Sequence, residues 1–177
     1  SLKDLPTEEP EGLEVVAIPE RADPGDLLLA RPGLVVDPAA PLDLPPGAVV
    51  GTSSLRRAAQ VLARSSGVEV RALRGNVPTR VRKLRDGGFD AILLAAAGAG
   101  RLDLDLSGLE VHRLPTELML PAPGQGALAI EVSRNGRAAL ELGELHDHRV
   151  ARCVGAEREL LALLGGGCHL PLGCLAI

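Results

Sequence analysis

Short apolar segments alternate with longer amphipathic segments through the middle of the chain. Residues 48–50, 68–73 and 90–95 predict strands, because they are apolar, short and bounded by turn residues. The intervening segments, 53–64 and 77–86, predict helices. Helices inserted between short apolar strands imply right-handed crossovers, so we predict an α/β lobe with a doubly wound, mostly parallel sheet covered on both faces.

Two connectors flank this lobe. A strand is predicted at 13–18, followed by a polar connector at 19–24; after the lobe, the proline- and glycine-containing segment 119–124 precedes a strand at 127–132 and a helix at 137–145. We therefore expect the chain to enter the lobe from a companion domain and to return to it. The predicted division is domain 1 from residues 1–24 and 125–145, domain 2 from residues 25–118, and a hinge at residues 119–124.

The two ends of the chain are less regular. A helix is predicted at 149–164, followed by three glycines, Cys168 and a final apolar strand. Ser1 already lies in a dense motif with no starting Met. We therefore expect the chain to be a piece of a longer protein.

Composition and charge narrow the classes of function. The chain has 177 residues, of which 46% are hydrophobic, so it can bury a core. Only 1% of the residues are aromatic, which nearly excludes binding of single-stranded nucleic acid by base stacking. The net charge of −4 repels polyanions, so an anion site requires a local concentration of positive charge.

Cysteine usage and hydropathy indicate the compartment. An odd count of cysteines, Cys153, Cys168 and Cys174, favours a reducing cytosol over a disulfide framework. No apolar run approaches the length that spans a membrane. We expect a cytoplasmic protein without nucleic-acid or membrane partners.

One candidate anion site opens the first predicted helix. Backbone amides, the hydroxyls of Ser53 and Ser54, and the guanidiniums of Arg56 and Arg57 converge at its N-terminus. Positive side chains in a first helical turn oppose the helix dipole, and a bound anion would remove that conflict. The alternative is an ordinary N-cap followed by solvated arginines.

Further arginines follow the next two strands. Arg74 lies at the end of one strand, Arg80 near the start of the helix after it, and Arg101 after the third strand. Ligands of open α/β sheets bind beyond the carboxyl ends of the strands, so this convergence fits a polycarboxylate or phosphate ligand. The basic residues of the second helix are interpreted as a solvated face.

Two other residues are candidates for chemistry. Cys168 follows three glycines, and three interpretations remain open: a buried thiol, a metal ligand with Cys153, His169 and Cys174, or a nucleophile or covalent attachment point. Asp4, beside a lysine, could stabilise a cation or shuttle a proton, but such a pair is usually a hydrated surface feature.

Together these segments resemble the porphobilinogen deaminase family over nearly the whole chain and in the same order. The motifs that carry the resemblance are Ser1-Leu-Lys-Asp-Leu-Pro, Pro19-Glu-Arg-Ala-Asp-Pro, Gly51-Thr-Ser-Ser-Leu-Arg-Arg, Leu73-Arg-Gly-Asn-Val-Pro-Thr-Arg, Phe89-Asp-Ala-Ile-Leu-Leu-Ala-Ala-Ala-Gly, Leu120-Pro-Ala-Pro-Gly-Gln-Gly-Ala, Ala156-Glu-Arg and Gly166-Gly-Cys.

The resemblance implies a fold, a cofactor and a set of site residues. The fold would have two lobes like those of type 2 periplasmic binding proteins and a small α+β third domain that starts within 146–177. The cofactor would be a dipyrromethane joined through a thioether to Cys168. Asp4 matches the catalytic carboxylate, which would help to protonate the departing amine of porphobilinogen and stabilise the cation left behind. Lys3, Ser54, Arg56, Arg57, Arg74 and Arg80 match cofactor-binding positions, and Arg74, Arg80 and Arg101 match substrate-binding positions.

The implied activity is that of a transferase of tetrapyrrole biosynthesis, which joins four porphobilinogen molecules head to tail into hydroxymethylbilane. The full-length protein is expected to be a monomer that contains no metal. The resemblance implies that most of the first domain is absent before Ser1 and that the third domain stops just after Cys168. We therefore expect this chain alone to be inactive and its companion lobe to leave apolar surface uncovered.

Two other functions compete with this interpretation. One is a non-enzymatic two-lobe anion-binding protein or regulator effector domain, since a shared fold does not fix function. The other is a metal-stabilised structural module, although the cysteine spacing fits no common zinc pattern.

Overall fold

The chain divides into two compact units. The computed structural model describes residues 1–8, 10–35, 37–102, 104–134, 139–166 and 170–177. Unit 1 comprises Ser1–Pro24 and Pro121–Ile177, and unit 2 comprises Gly25–Leu120. In chain order the elements are a 3-10 turn at Leu2–Asp4, β1 (Leu13–Ala17), β2 (Asp26–Ala30), β3 (Val49–Gly51), α1 (Leu55–Leu62), β4 (Glu69–Arg71), α2 (Val77–Arg85), β5 (Ala91–Ala95), α3 (Ala96–Gly100), β6 (Glu110–Leu114), β7 (Ile130–Ser133), α4 (Ala139–Gly143) and α5 (His148–Leu163).

Unit 2 is an α/β structure with a mixed five-stranded sheet. The predicted alternation of strands and helices from β3 to β5 is present, with small differences at the boundaries. The strand order is β4-β3-β5-β2-β6, and β3 is parallel to β4 and β5. Strand β2 runs antiparallel to both of its neighbours, β5 and β6. The sheet is therefore less parallel than the sequence predicted, because neither β2 nor β6 was recognised as a strand.

The helices cover the sheet of unit 2 on two faces. Leu28 and Leu93 belong to the core cluster that contains Val61 of α1. Leu29 and Ile92, the next residues along the same strands, belong to a second cluster, to which α2 contributes Val81 and Leu84. Alternate residues of a strand point to opposite faces, so the two clusters lie on opposite sides of the sheet. The predicted covering of both faces is confirmed.

The direction of β2 decides which residues lie at the carboxyl edge of the sheet. Strands β3, β4 and β5 all end at this edge, with Gly51, Arg71 and Ala95 as their last residues. Because β2 is antiparallel, its first residue, Asp26, pairs with Ala95 and with Leu114 at the same edge. A carboxylate is thereby placed where the arginine-bearing turns begin.

Unit 1 contains a two-stranded antiparallel sheet of β1 and β7 with helices α4 and α5. Its core consists of Leu2, Ala127 and Val154, with partly buried apolar side chains around them. Helix α5 begins after Asp147, whose carboxylate accepts hydrogen bonds from the amides of Arg149 and Val150.

The final apolar strand predicted from the sequence is wrong. Residues 170–177 form no strand, and single contacts hold this segment in place of a ladder. The amide of Cys174 donates to the carbonyl of Pro121 at 2.9 Å, and the amide of Ala176 donates to a carboxylate oxygen of Glu157 at 3.0 Å.

Apolar side chains remain exposed at the end of α5. Leu160, Leu163 and Leu164 are 41%, 78% and 55% exposed. In the described part of the chain, no helix is long and apolar enough to cross a membrane.

Candidate functional site

Side-chain hydroxyls cap the start of α1. The Ser54 hydroxyl accepts from the amide of Arg57 at 3.5 Å, and the Thr52 hydroxyl accepts from the amide of Ser54 at 3.1 Å. Ser53 donates its hydroxyl to the carbonyl of Leu73 at 2.8 Å. These hydroxyls fix the loop between β3 and α1 and set the direction in which Arg56 and Arg57 leave the helix.

Arg56 and Arg57 are both bonded to Asp26. The guanidinium of Arg56 donates through Nη2 to Oδ2 at 2.8 Å. Arg57 donates to Oδ1 through Nη2 at 2.6 Å and through Nε at 3.1 Å. Asp26, Arg56 and Arg57 are 0%, 5% and 6% exposed, so the group is a buried cluster of two cations and one anion.

The electrostatics of this cluster favour the ionised carboxylate. Burial alone would raise the pKa of Asp26, but the charges and hydrogen bonds of Arg57 and Arg56 outweigh it and hold that pKa below its ordinary value. Burial lowers the pKa of Arg56, while Asp26 opposes that effect. The cluster retains one net positive charge.

The alternative of solvated arginines is wrong, because both guanidiniums are buried; binding of an anion by this pair stays a prediction. The sequence suggested that the guanidiniums face a bound anion or solvent; the structure places them against an internal carboxylate. That carboxylate offsets part of the conflict between the two positive charges and the helix dipole. Asp26 was missed, although an acidic residue at the head of the apolar run Asp26–Ala30 was a usable signal.

A second group of cations surrounds the start of α2. Asn76 caps this helix by accepting from the amide of Thr79 at 3.0 Å. Arg80 is half-buried and donates through Nε to the carbonyl of Gly75 at 2.7 Å. Burial, and after it the charge of Arg57, lower the pKa of Arg80.

Two further predicted arginines are exposed. Arg74 lies before α2, and its carbonyl accepts from Lys83 Nζ at 3.0 Å. Arg101 lies at the C-terminal end of α3. The structure therefore brings Arg56 and Arg57 together at Asp26, leaves Arg80 half-buried near the start of α2, and places Arg74 and Arg101 at the solvent-exposed surface of unit 2.

In unit 1, the turn at Leu2–Asp4 is anchored at several points. Leu2 is buried, and its amide donates to the carbonyl of Ala127 at 3.1 Å. The guanidinium of Arg158 donates to the carbonyls of Leu2 and Leu5 at 3.1 and 3.3 Å and also to that of Pro6. Asp4 is exposed and Lys3 is half-buried, so a fixed backbone presents the Asp4 carboxylate to solvent.

Sequence reasoning assigned no role to Arg158 or to its neighbour Glu157. Glu157 is buried and accepts from Arg21 at 2.8 and 3.0 Å. It also accepts from the amide of Gly124 at 2.7 Å. These residues occur in the motifs that carry the family resemblance, and that was the available signal.

Cys168 and His169 lie outside the described residues, as does the start of the predicted helix at 137–145. Cys153 and Cys174 are free thiols. Burial, reinforced by the charge of Glu157, raises the pKa of Cys174. Within the described ranges, no group of three or more His, Cys, Asp or Glu side chains could hold a metal ion.

Two curated proteins are similar in sequence to this chain over almost its whole length. The chain is 49% identical to a porphobilinogen deaminase of Brevibacillus brevis over 99% of this chain and 55% of that protein. It is 50% identical to a porphobilinogen deaminase of Thermus thermophilus over 99% of this chain and 56% of that protein. The chain thus spans about half the length of these curated relatives.

Among solved structures, the chain is similar to an ancestral cationic amino acid solute binding protein, with a TM-score of 0.47 and 13% identity over 88% of this chain and 58% of that chain. A family model described as "Porphobilinogen deaminase, dipyromethane cofactor binding domain" matches residues 1–141. The family match and the relatives of about 50% identity agree, and the chain belongs to the porphobilinogen deaminase family.

Proposed function

We propose that this chain is the cofactor-binding and substrate-binding part of a transferase that joins four porphobilinogen molecules into hydroxymethylbilane, in tetrapyrrole biosynthesis. The observation that carries the proposal is the concentration of guanidinium groups in unit 2 of a chain whose net charge is −4. Arg56 and Arg57 follow β3, Arg74 and Arg80 follow β4, and Arg101 follows β5 and α3. The name of the relatives favours this activity over a non-enzymatic anion-binding protein.

The donor set fits the proposed ligands. Each pyrrole of the dipyrromethane cofactor and of porphobilinogen bears an acetate and a propionate, and guanidinium groups bind carboxylates with two parallel hydrogen bonds. When bound, the cofactor supplies the primer to which substrate units are added. The residues proposed to hold it are Lys3, Ser54, Arg56, Arg57, Arg74 and Arg80, with Cys168 as the covalent anchor; those proposed to hold substrate are Arg74, Arg80 and Arg101.

The five arginines of unit 2 that are proposed to bind carboxylates differ in their burial. Arg74 and Arg101 are exposed and Arg80 is half-buried, so these side chains suit direct contact with incoming carboxylates. Arg56 and Arg57 already bind Asp26, and they contribute the net positive charge of their buried cluster. A charge held in a poorly solvated environment attracts an anion more strongly than a solvated one does.

Asp4 suits the catalytic role. Its carboxylate is exposed, while the backbone on either side is held by Arg158 and by the amide of Leu2. In its protonated form, a carboxyl group fixed in this way gives its proton to a departing amine, and the carboxylate that remains stabilises a neighbouring cation. Within the described residues, Arg158 donates to the backbone carbonyls of Leu2, Leu5 and Pro6, so it is a positioning residue.

The wider architecture is proposed on the same basis. The domain boundaries predicted from the sequence, the third domain at 146–177 and the periplasmic-binding-protein-like lobes are proposals. The division into two compact units supports the boundary between Pro24 and Gly25, and it groups residues 121–177 with residues 1–24. A cytoplasmic location and a monomeric full-length protein are proposed with them. We also propose that this chain alone does not turn over porphobilinogen, since it spans about half of its relatives.

The proposal is tested with a chimera in which this chain replaces the matching part of the Brevibacillus brevis relative. We expect turnover of porphobilinogen, and an intact-mass adduct that is lost in Cys168→Ser. Asp4→Asn should lower turnover roughly 10²- to 10⁴-fold, whereas Glu8→Gln, which removes another exposed carboxylate nearby, should not. A folded chimera without adduct or turnover, or an Asp4→Asn variant with full activity, would overturn the assignment.

A further inference from the structure

The two points at which the chain crosses between its units are bonded to the same side chain. The chain enters unit 2 at Gly25 and leaves it after Leu120. Arg56 donates through Nη2 to the carboxylate of Asp26 at 2.8 Å, and through Nη1 to the carbonyl of Leu120. One guanidinium therefore bridges the second residue and the last residue of the unit.

Each crossing point also has a contact of its own. Gln60, one turn further along α1, donates to the carbonyl of Leu120 at 3.1 Å and accepts from its amide at 2.8 Å. Arg57 binds Asp26 independently, at 2.6 and 3.1 Å. The loss of Arg56 would therefore remove the bridge and leave Leu120 and Asp26 individually attached. The bridging role is separable from the local ones.

The same guanidinium belongs to the proposed carboxylate-binding set. A ligand carboxylate and the Asp26 carboxylate are chemically equivalent acceptors, so they compete for the Arg56 fork. The cluster keeps one net positive charge, which attracts a second carboxylate even while Asp26 stays bonded to Arg57.

We propose that Arg56 couples carboxylate binding at this edge of unit 2 to the two chain crossings. When a ligand carboxylate occupies the Arg56 guanidinium, the bridge between Asp26 and Leu120 opens, and the backbone at both crossings gains freedom. The inference rests on the carboxylate binding of the proposed function, and it does not depend on turnover or on loading of Cys168.

Competition has a second consequence. Coupling between two binding events is reciprocal. Weakening the bond between Asp26 and Arg56 should therefore strengthen the binding of a ligand carboxylate to Arg56. Asp26→Asn keeps the shape of the side chain and removes its charge. This variant should bind a carboxylate probe more tightly than Asp43→Asn, which removes an exposed aspartate of the same unit.

The first experiment measures backbone hydrogen exchange in the purified chain, with citrate as the probe and with sodium chloride at equal ionic strength as the reference. In the native chain, citrate should speed exchange in peptides covering residues 22–30 and 116–126 by roughly two- to tenfold, the equivalent of one hydrogen bond. In Arg56→Gln these peptides should exchange fast already, with no further effect of citrate. Arg64→Ala is the control, because it removes another arginine near α1 that donates to this segment, at the carbonyls of Leu118 and Glu117. Citrate should still speed exchange at both crossings in this variant.

Protection of the β5 amides shows whether each variant is folded. Citrate binding by calorimetry supplies a second test that does not need Arg56→Gln, since it compares Asp26→Asn with Asp43→Asn. The proposal is overturned if citrate does not bind the native chain, if it binds without speeding exchange at the crossings, or if the two aspartate variants bind it equally. The proposed enzyme function is tested separately by turnover and by the Cys168 adduct, so the two failures are distinguishable.

Discussion

Arg21 and Glu157 form a two-pronged ion pair in unit 1, with Nη1 to Oε1 at 2.8 Å and Nη2 to Oε2 at 3.0 Å. Their side chains are 10% and 1% exposed. Arg21 also donates through Nε to the carbonyl of Gln125 at 2.9 Å, and Glu157 accepts from the amide of Gly124. The pair therefore fixes both connectors of unit 1 against helix α5.

Removal of the Glu157 charge should destabilise the chain strongly. Glu157→Gln leaves the buried guanidinium of Arg21 without its carboxylate, and such a change costs roughly 3–5 kcal/mol. The measurement is urea denaturation followed by circular dichroism. Glu159→Gln, on the exposed face of the same helix, should change the free energy of unfolding by less than about 0.5 kcal/mol. Equal effects of the two substitutions would contradict the structural role of the pair.

The Asp26 cluster predicts a specific acid sensitivity. The folded-state pKa of Asp26 is lowered below the ordinary value of 3.8, so its contribution to stability is fully present above that value. The contribution is lost as the pH falls below 3.8 towards the lower folded-state pKa. Asp26→Asn should be less stable at neutral pH, and its difference from the native chain should shrink in that acid range. Urea denaturation at a series of pH values checks this; a difference that stays constant with pH would show that Asp26 is not ionised in the fold.

The sequence predicted the elements whose pattern is local, and it missed the contact that depends on the antiparallel strand. The spacing of apolar residues located α1 and α2, and turn chemistry placed Arg56 and Arg57 at a helix start. The side chain that would balance their charge could not be read from that pattern. Asp26 reaches Arg57 only because β2 runs antiparallel to β5, and strand direction is set by tertiary packing.

The ion pair of Glu157 could not be predicted from the local sequence pattern either, because its partner is far away in the sequence. A glutamate within a helix is ordinarily solvated, and its burial becomes intelligible only with Arg21, 136 residues earlier in the sequence. The turn with Lys3 and Asp4 was recognised by its motif, whereas its anchoring by Arg158 was not, because the bonds are made to backbone carbonyls. The attachment role of Cys168 stays a prediction.

Loss of Arg158 should loosen the turn that carries Asp4. Arg158→Met keeps much of the apolar stem but removes the donors to the carbonyls of Leu2, Leu5 and Pro6. Amide exchange in a peptide covering residues 1–6 should rise roughly tenfold, while the peptides of unit 2 should not change. The control is Arg152→Met, an exposed arginine on the same helix. If both variants leave residues 1–6 equally protected, Arg158 does not position this turn.

Within unit 1, the backbone at Ala22 and Asp23 closely approaches Gly126, and a substitution of Gly126 tests whether this approach matters for stability. Its φ of +87° lies in the left-handed region, and a Cβ there would lie 2.5 Å from the carbonyl oxygen of Ala22 and 3.0 Å from that of Asp23. Gly126→Ala should therefore suffer both backbone strain and a collision with backbone atoms. Gly12→Ala is a matched control, because its φ is +81° and a Cβ would meet nothing within 4 Å. Urea denaturation should show a loss of about 1–2 kcal/mol for the control, from strain alone, and a clearly larger loss for Gly126→Ala. Equal losses would mean that the connector at Ala22 moves away at little cost, and that the close approach is not required for the stability of unit 1.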